Sequence, residues 1–69
     1  MNPFITLTSY ESNTPIRFNV NHIIQYHRSE RGYTFLLLAG NCTREIQETP
    51  EEIDEMISNT FLTLVTHIG

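Results

Sequence analysis

The chain has 69 residues, a formal net charge of −4 and a single cysteine, Cys42. This length suffices for one domain, residues 1–69, and leaves no room for a second core. One cysteine excludes an intrachain disulfide, and no CxxC or paired Cys/His spacing indicates a structural zinc. Small domains without such cross-links often gain stability by self-association, which we therefore expect here.

The chain is acidic, with eight Asp and Glu residues, four arginines and no lysine. Sequence-independent attraction to phosphate backbones needs basic groups, so we do not expect nucleic acid as the main partner. No stretch approaches the roughly 18 apolar residues that span a bilayer, so we expect no membrane partner. The N-terminus lacks a basic region followed by an apolar stretch. Together with the lone cysteine, these features favour a cytoplasmic location.

Five short strands are predicted ahead of the last third of the chain. Apolar and polar side chains alternate along them, as they do in half-buried strands. Turns rich in Asn, Ser and Gly separate them. The predicted strands cover residues 4–10, 16–20, 23–28, 33–38 and 42–48.

The fourth predicted strand is apolar on both faces: Tyr33, Phe35 and Leu37 lie on one, Leu36 and Leu38 on the other. A helix covers only one face of a sheet, so we expect Leu36 and Leu38 on the open face. An exposed apolar patch usually marks a contact surface, here for a homo-oligomer that is a dimer or larger. A locally folded tail over the same surface is the alternative. The residues expected in this contact surface are Leu36, Leu38 and Leu62.

A helix is predicted from Pro50, because Pro fits the first helical position. Thr49 can cap the first turn, and Glu52 can bond back to the N–H of Thr49. Apolar residues then recur with helical spacing at Ile53, Met56, Ile57, Phe61, Leu64, Val65 and Ile68. We expect the helix to reach about Thr66, although residues 61–66 also have the composition of a strand. The prediction is an α+β fold, a small, mostly antiparallel meander of about five short strands packed by one C-terminal helix.

No group of residues predicts catalysis, a bound metal or a cofactor. Cys42 has no orienting base beside it in sequence, so we expect a buried structural cysteine. Glu51 and Glu55 lie on the polar face of the helix, where no cleft would shift a carboxylate pKa. The tight spacing of metal ligands is absent from the three histidines, His22, His27 and His67. We therefore expect a protein without enzymatic activity.

Two charged groups of side chains are candidate contact surfaces. The acidic residues around the helix start complement the helix dipole and can also contact a basic protein partner. The acidic candidates are Glu48, Glu51, Glu52 and Glu55. The hairpin at 29–32 carries Arg28, Arg31 and Tyr33, a basic tip with an aromatic ring that can contact nucleic acid or protein.

The order of several short motifs resembles a known family. The motifs are Ile5-x-Leu7-Thr8, Phe18-Asn19-Val20-Asn21, Thr34-Phe35-Leu36-Leu37, Gly40, Ile46-x-Glu48-Thr49 and Glu51-Glu52-Ile53 with Ile57. Over about residues 4–58 this order resembles the FlbD-like family of small proteins associated with flagella and swarming motility. The resemblance implies strands followed by a helix, no catalytic residues and an accessory role in motility. The chain departs from that family in its first turn, Asn13-Thr14-Pro15, and in an apolar C-terminal end.

We therefore expect a small, self-associating interaction module or regulator that binds a protein partner whose identity the sequence does not give. The alternative is a phage or mobile-element protein that binds and inhibits or regulates a host protein. A second alternative is a nucleic-acid-binding regulator that uses the hairpin from Arg28 to Tyr33.

Overall fold

The computed structural model describes residues 3–68, with side chains described for residues 3–60. Its elements are β1 (Phe4–Thr8), β2 (Pro15–Asn19), a 3-10 turn (Val20–His22), β3 (Ile23–Arg28), β4 (Thr34–Leu38), β5 (Cys42–Ile46) and α1 (Pro50–Ile68). Five antiparallel strands and one helix near the C-terminus confirm the α+β class.

The strands form two sheets that share one junction. β1 pairs with β2, and β3, β4 and β5 form the second sheet in that order. A bridge between Ser9 and Ile46 joins the chain just after β1 to the end of β5. Beside it, the Tyr10 N–H donates to the Glu45 carbonyl at 2.9 Å. The predicted meander is therefore bent into two connected sheets.

The core draws apolar side chains from both sheets and from α1. Its buried members are Ile5, Leu7, Phe18, Val20, Leu36, Ile46 and Ile53. Burying one such side chain contributes roughly 1.5–3 kcal/mol relative to leaving it in water. The alternation in β1 buries Ile5 and Leu7, as predicted, and Ile46 points inward on β5.

The face of β4 that packs against the core is the opposite of the predicted one. Leu36 is fully buried, and Leu38 is half-buried against the core. Phe35 and Leu37, which alternate with them, lie on the outer face and are half-buried. The prediction that Leu36 and Leu38 lie on an open face is wrong. They cannot form the apolar contact surface that we expected.

Two local features decide which face of β4 is inward. The buried Thr34 donates its hydroxyl to the Glu48 carbonyl at 2.5 Å, which fixes the start of β4 against the chain that enters α1. In β3 a bulge between Ile23 and Gln25 shifts the register, so that Ile23 and Tyr26 both pack against the core. A bulge adds one residue to a strand, and strict alternation therefore fails across it.

The start of α1 has the predicted capping arrangement. The Thr49 N–H donates to Glu52 Oε1 at 2.8 Å, and the Glu52 N–H donates to Thr49 Oγ1 at 3.1 Å. The pKa of Glu52 lies below its ordinary value, chiefly because of the backbone N–H of Thr49 and next because of its hydroxyl. The positive charge of Arg28 acts in the same direction. Asn, Ser, Thr and Asp are the usual caps because their side-chain oxygens accept orphan N–H groups.

α1 continues through the segment whose composition also suits a strand, and it ends at Ile68. Ile53 is buried, and Met56 and Ile57 pack against the core from the same stripe. Residues 3–68 contain no helix that is both long enough and apolar enough to cross a bilayer. The side chains of residues 61–68 fall outside the described part, among them Phe61, Leu62, Leu64, Val65, His67 and Ile68, so the role predicted for Leu62 stays a prediction.

Candidate anion-binding cleft

A shallow, open cleft of about 360 Å³ lies between the two sheets, at the end of the strands away from the Ser9–Ile46 bridge. Phe4 begins β1, Asn19 ends β2, Leu38 ends β4 and Cys42 begins β5, so four strands contribute their termini to it. The lining residues are Phe4, Arg17, Phe18, Asn19, His22, Leu38, Ala39, Cys42 and Arg44. We call this site the anion-binding cleft because of the charges described next.

The cleft concentrates positive charge in an acidic chain. Two of the four arginines, Arg17 and Arg44, line it together with His22. None of the described residues that line it is acidic. Within the part of the chain that the structure describes, neither guanidinium forms an ion pair with a carboxylate. Apart from the Arg44 Nη1 donor described below, no described residue accepts from either guanidinium, so the other donors are available to an anion.

Each guanidinium is held by a contact that leaves most of its donors unused. The Arg17 guanidinium carbon lies 5.4 Å from the centroid of the Phe4 ring, a cation–π arrangement that uses the face of the group and not its N–H donors. Arg44 Nη1 donates to the Thr43 carbonyl at 2.8 Å. A guanidinium has five N–H donors in a planar fork that matches a carboxylate.

Apolar surface lies beside these charges. Phe18 is 7% exposed, Leu38 is half-buried, and Phe4 leaves 38% of its surface open. Arg17 and Arg44 are themselves exposed, so water screens their charge and the neighbouring apolar surface must add to the binding of an anion. The cleft therefore suits a ligand that joins a carboxylate or phosphate to an apolar group.

Cys42 lies in this cleft and is exposed, so the prediction of a buried structural cysteine is wrong. The reason is its place at the first residue of β5, where the cleft opens the end of the sheet. Its Sγ lies 3.9 Å from the Gly40 carbonyl oxygen. His22, considered as a metal ligand from sequence, lies in the same cleft, but no three His, Cys, Asp or Glu side chains among the described residues converge on a metal position.

The basic hairpin predicted as a nucleic-acid contact lies at the other end of β4. The Tyr33 ring packs against Tyr10, with centroids 5.0 Å apart. A hydrogen bond to the Glu45 carboxylate raises the pKa of the Tyr33 hydroxyl. The aromatic ring is thus engaged within the chain, whereas Arg28 and Arg31 are exposed. The fold does not bring these two arginines to the cleft.

The predicted acidic surface divides into two kinds of residue. Both oxygens of Glu48 accept hydrogen bonds from Thr8, and the Glu52 carboxylate is part of the helix cap. Glu51 and Glu55 are exposed and lie two residues before and after the buried Ile53, which places them on the opposite side of α1. Only these two form an outer acidic face.

Sequence reasoning missed Arg17, Arg44 and Phe4 as site residues. Their side chains are far apart in the chain and meet only when the β1–β2 hairpin is joined to β5. The available signal for Arg44 was its phase, since it alternates with Ile46 and therefore stands on the face of β5 that turns inward. That signal is weak, because most arginines on strands are simply solvated.

Comparison with protein-family models, with curated proteins and with solved structures gives no match to this chain. The resemblance to the FlbD-like family therefore stays a prediction, and the cleft must be interpreted from its own geometry.

Proposed function

We propose that the protein is a non-enzymatic interaction module that binds an acidic segment of a protein partner in the anion-binding cleft. The observation that carries this proposal is that Arg17 and Arg44 line one cleft in which no described residue supplies a carboxylate. The partner supplies that carboxylate. This function corresponds to a cytoplasmic regulator or adaptor, a setting in which the exposed Cys42 stays reduced.

The chemistry of the cleft favours carboxylates beside an apolar side chain. A guanidinium binds a carboxylate through two parallel N–H···O bonds, which fixes orientation as well as adding energy. An exposed ion pair contributes only about 0.2–1 kcal/mol, so the apolar surface of Phe4 and Leu38 must add to the affinity. We therefore propose a partner segment with two acidic residues around an aliphatic one.

A protein segment fits better than a nucleic acid. An extended polyanion would be repelled by the rest of the molecule, because the net charge is −4. A short acidic segment is attracted by the local positive charge of the cleft. In addition, Tyr33 of the alternative hairpin site already packs against Tyr10. Both the motility accessory role and the regulation of a host protein by a phage protein agree with such a cleft, and the identity of the partner distinguishes them.

The test is calorimetric titration with a synthetic peptide in which two Glu residues flank a Leu, beside a control peptide with Gln in place of Glu. We expect the Glu peptide to bind and the Gln peptide not to bind. Arg17→Ala or Arg44→Ala should each weaken binding of the Glu peptide by up to about fivefold. Arg31→Ala is the matched control, because it removes the same charge from an exposed site outside the cleft.

Two results would contradict the proposal. The first is a Glu peptide that does not bind at about 1 mM, the weakest affinity worth calling specific. The second is an equal loss for Arg44→Ala and Arg31→Ala, which would show that only the net charge matters. A single-stranded oligonucleotide that binds the cleft in preference to the peptide would replace the protein partner by nucleic acid.

A further inference from the structure

The anion-binding cleft and the helix start lie at opposite ends of the strands. β1 runs from Phe4 in the cleft to Thr8, which binds Glu48 just before α1. β5 runs from Cys42 in the cleft to Ile46, which is bridged to Ser9 just after β1. Four residue steps of strand span roughly 13 Å. A single molecule therefore cannot place its own helix start in its own cleft.

The outer acidic face of α1, Glu51 and Glu55, has free carboxylates. Both side chains are exposed, and neither has a hydrogen bond or ion pair to another described residue. They are one helical turn apart, where Cβ atoms are about 5–6 Å from each other and like charges repel. An external cationic group would relieve that repulsion.

We propose that the occupant of the anion-binding cleft is the outer acidic face of a second copy of this chain, so that molecules associate head to tail. This inference rests on the proposed function, because it names the acidic segment that the cleft binds. Two guanidinium groups, from Arg17 and Arg44, meet two carboxylates, from Glu51 and Glu55. Leu36, which was expected from sequence to form the contact, has no part in it because it is fully buried. Leu38 takes part only as one of the apolar side chains that line the cleft.

Such an interface is heterologous, since each copy uses one surface as donor and a different one as acceptor. Contacts of this type close into a ring or extend into an open chain, and they do not give the isologous dimer of a two-fold axis. The ion pairs are exposed, and the copies repel each other through their net charge of −4. Association is therefore concentration-dependent and is weakened several-fold when salt rises from about 0.1 M to about 1 M.

Charge exchange between two variants tests this directly in sedimentation velocity. The cleft variant carries Arg17→Glu and Arg44→Glu, and the helix variant carries Glu51→Lys and Glu55→Lys. Each variant alone brings like charges together and is expected to sediment as a monomer where the wild type associates. An equimolar mixture is expected to associate again, because each cleft then meets a helix start of opposite charge.

Controls separate charge pairing from damage to the fold. Arg31→Glu changes the charge as much as Arg44→Glu does, but outside the cleft, and is expected to leave association unchanged. Circular dichroism reports folding of every variant. The milder Glu51→Gln with Glu55→Gln weakens association without reversing charge, and it serves if the lysine substitutions unfold the helix start.

The outcomes distinguish this inference from the proposed function. A wild type that remains monomeric at several hundred micromolar, or a mixture that does not regain association, overturns head-to-tail pairing. If the wild type is monomeric but the Glu peptide still binds the cleft, the proposed function stands and the acidic partner is another protein. If neither self-association nor peptide binding occurs, both proposals fail.

Discussion

Both carboxylate oxygens of Glu48 accept hydrogen bonds from Thr8, one from its backbone N–H and one from its hydroxyl, each at 2.8 Å. The two residues are 40 positions apart in the chain. The Glu48 carbonyl also accepts the Thr34 hydroxyl. One glutamate therefore fastens β1 and β4 to the segment that enters α1, although its acidic side chain had suggested a partner contact.

Removing this carboxylate should destabilise the fold. We expect Glu48→Ala to lower the free energy of unfolding by about 2 kcal/mol, because hydrogen bonds to a charged group in a part-buried setting are lost. Urea unfolding followed by circular dichroism measures the change. Glu51→Ala is the matched control and should stay within about 0.5 kcal/mol, since Glu51 is exposed. Equal effects would show that Glu48 has no special structural role.

Neighbouring leucines on β4 should respond differently to truncation. Leu36 is fully buried whereas Leu37 is half-buried on the outer face, so Leu36→Ala should cost about 2–5 kcal/mol and Leu37→Ala much less. Thermal and urea unfolding of both variants give the comparison. If Leu36→Ala does not fold, Leu36→Met, expected to cost less than about 1.5 kcal/mol, replaces it. A larger effect at Leu37 would contradict the inward face assigned to β4.

The link between β3 and α1 should weaken in alkaline solution. Burial, and then the hydrogen bond that the Tyr26 hydroxyl donates to Asp54, raise the pKa of Tyr26 from 10.0 to about 12. The folded protein therefore favours the neutral phenol, and this stabilisation is complete below pH 10.0 and disappears as pH rises through about 12. Tyr26→Phe should remove this pH-dependent component.

Thermal unfolding at a series of pH values between about 9 and 12 tests the effect of Tyr26. Tyr33→Phe is a useful comparison, because the hydrogen bond to Glu45 also raises the pKa of Tyr33 and its contribution has the same sign. Ultraviolet titration of each variant assigns the two ionisations. If Tyr26→Phe retains the full alkaline loss of stability, the hydrogen bond to Asp54 is not its source.

The helix cap should make the stability of the fold depend on pH in acidic solution. The pKa of Glu52 is lowered in the folded state, chiefly because the Thr49 N–H donates to its carboxylate. Its contribution is present above the ordinary value of 4.5 and is lost as pH falls through the lower folded value. Glu52→Gln should flatten this loss, as measured by helical circular dichroism during acid unfolding.

Thr49 contributes to the same cap through its side-chain hydroxyl. We expect Thr49→Ala to lower the free energy of unfolding by about 1 kcal/mol, because the Glu52 N–H loses its acceptor. Thr49→Ser keeps the hydroxyl and should behave like the wild type. If the serine variant is as unstable as the alanine variant, the methyl group and not the cap explains the effect.

The elements of this fold are predictable where the pattern is local. β3 has the predicted bounds, Ile23–Arg28, and α1 begins at the predicted Pro50, because alternation and capping depend on neighbouring residues. The inward face of β4 was not predictable, since Phe35 and Leu36 are both apolar and alternation gives no preference. The contact between Thr34 and Glu48 decides it, and that contact exists only in the folded chain.

The candidate site depends on the fold even more strongly. Arg17 and Arg44 belong to different sheets, and no spacing in the sequence relates them. His22 follows β2 in the chain, yet its neighbours in the cleft come from β1, β2, β4 and β5. Sites built from the termini of several strands have no linear motif, so composition and periodicity cannot reveal them.

The cleft with Arg17 and Arg44 and the outer acidic face with Glu51 and Glu55 present opposite charges at opposite ends of β1 and β5. From the net charge of −4 alone, the protein would be expected to adsorb only to positively charged resins and membranes. A support of either charge nevertheless meets a surface of opposite charge on this molecule. We expect a cationic support to bind the outer acidic face, Glu51 and Glu55, and an anionic support to bind the cleft, Arg17 and Arg44. In each case the other surface stays accessible to solution.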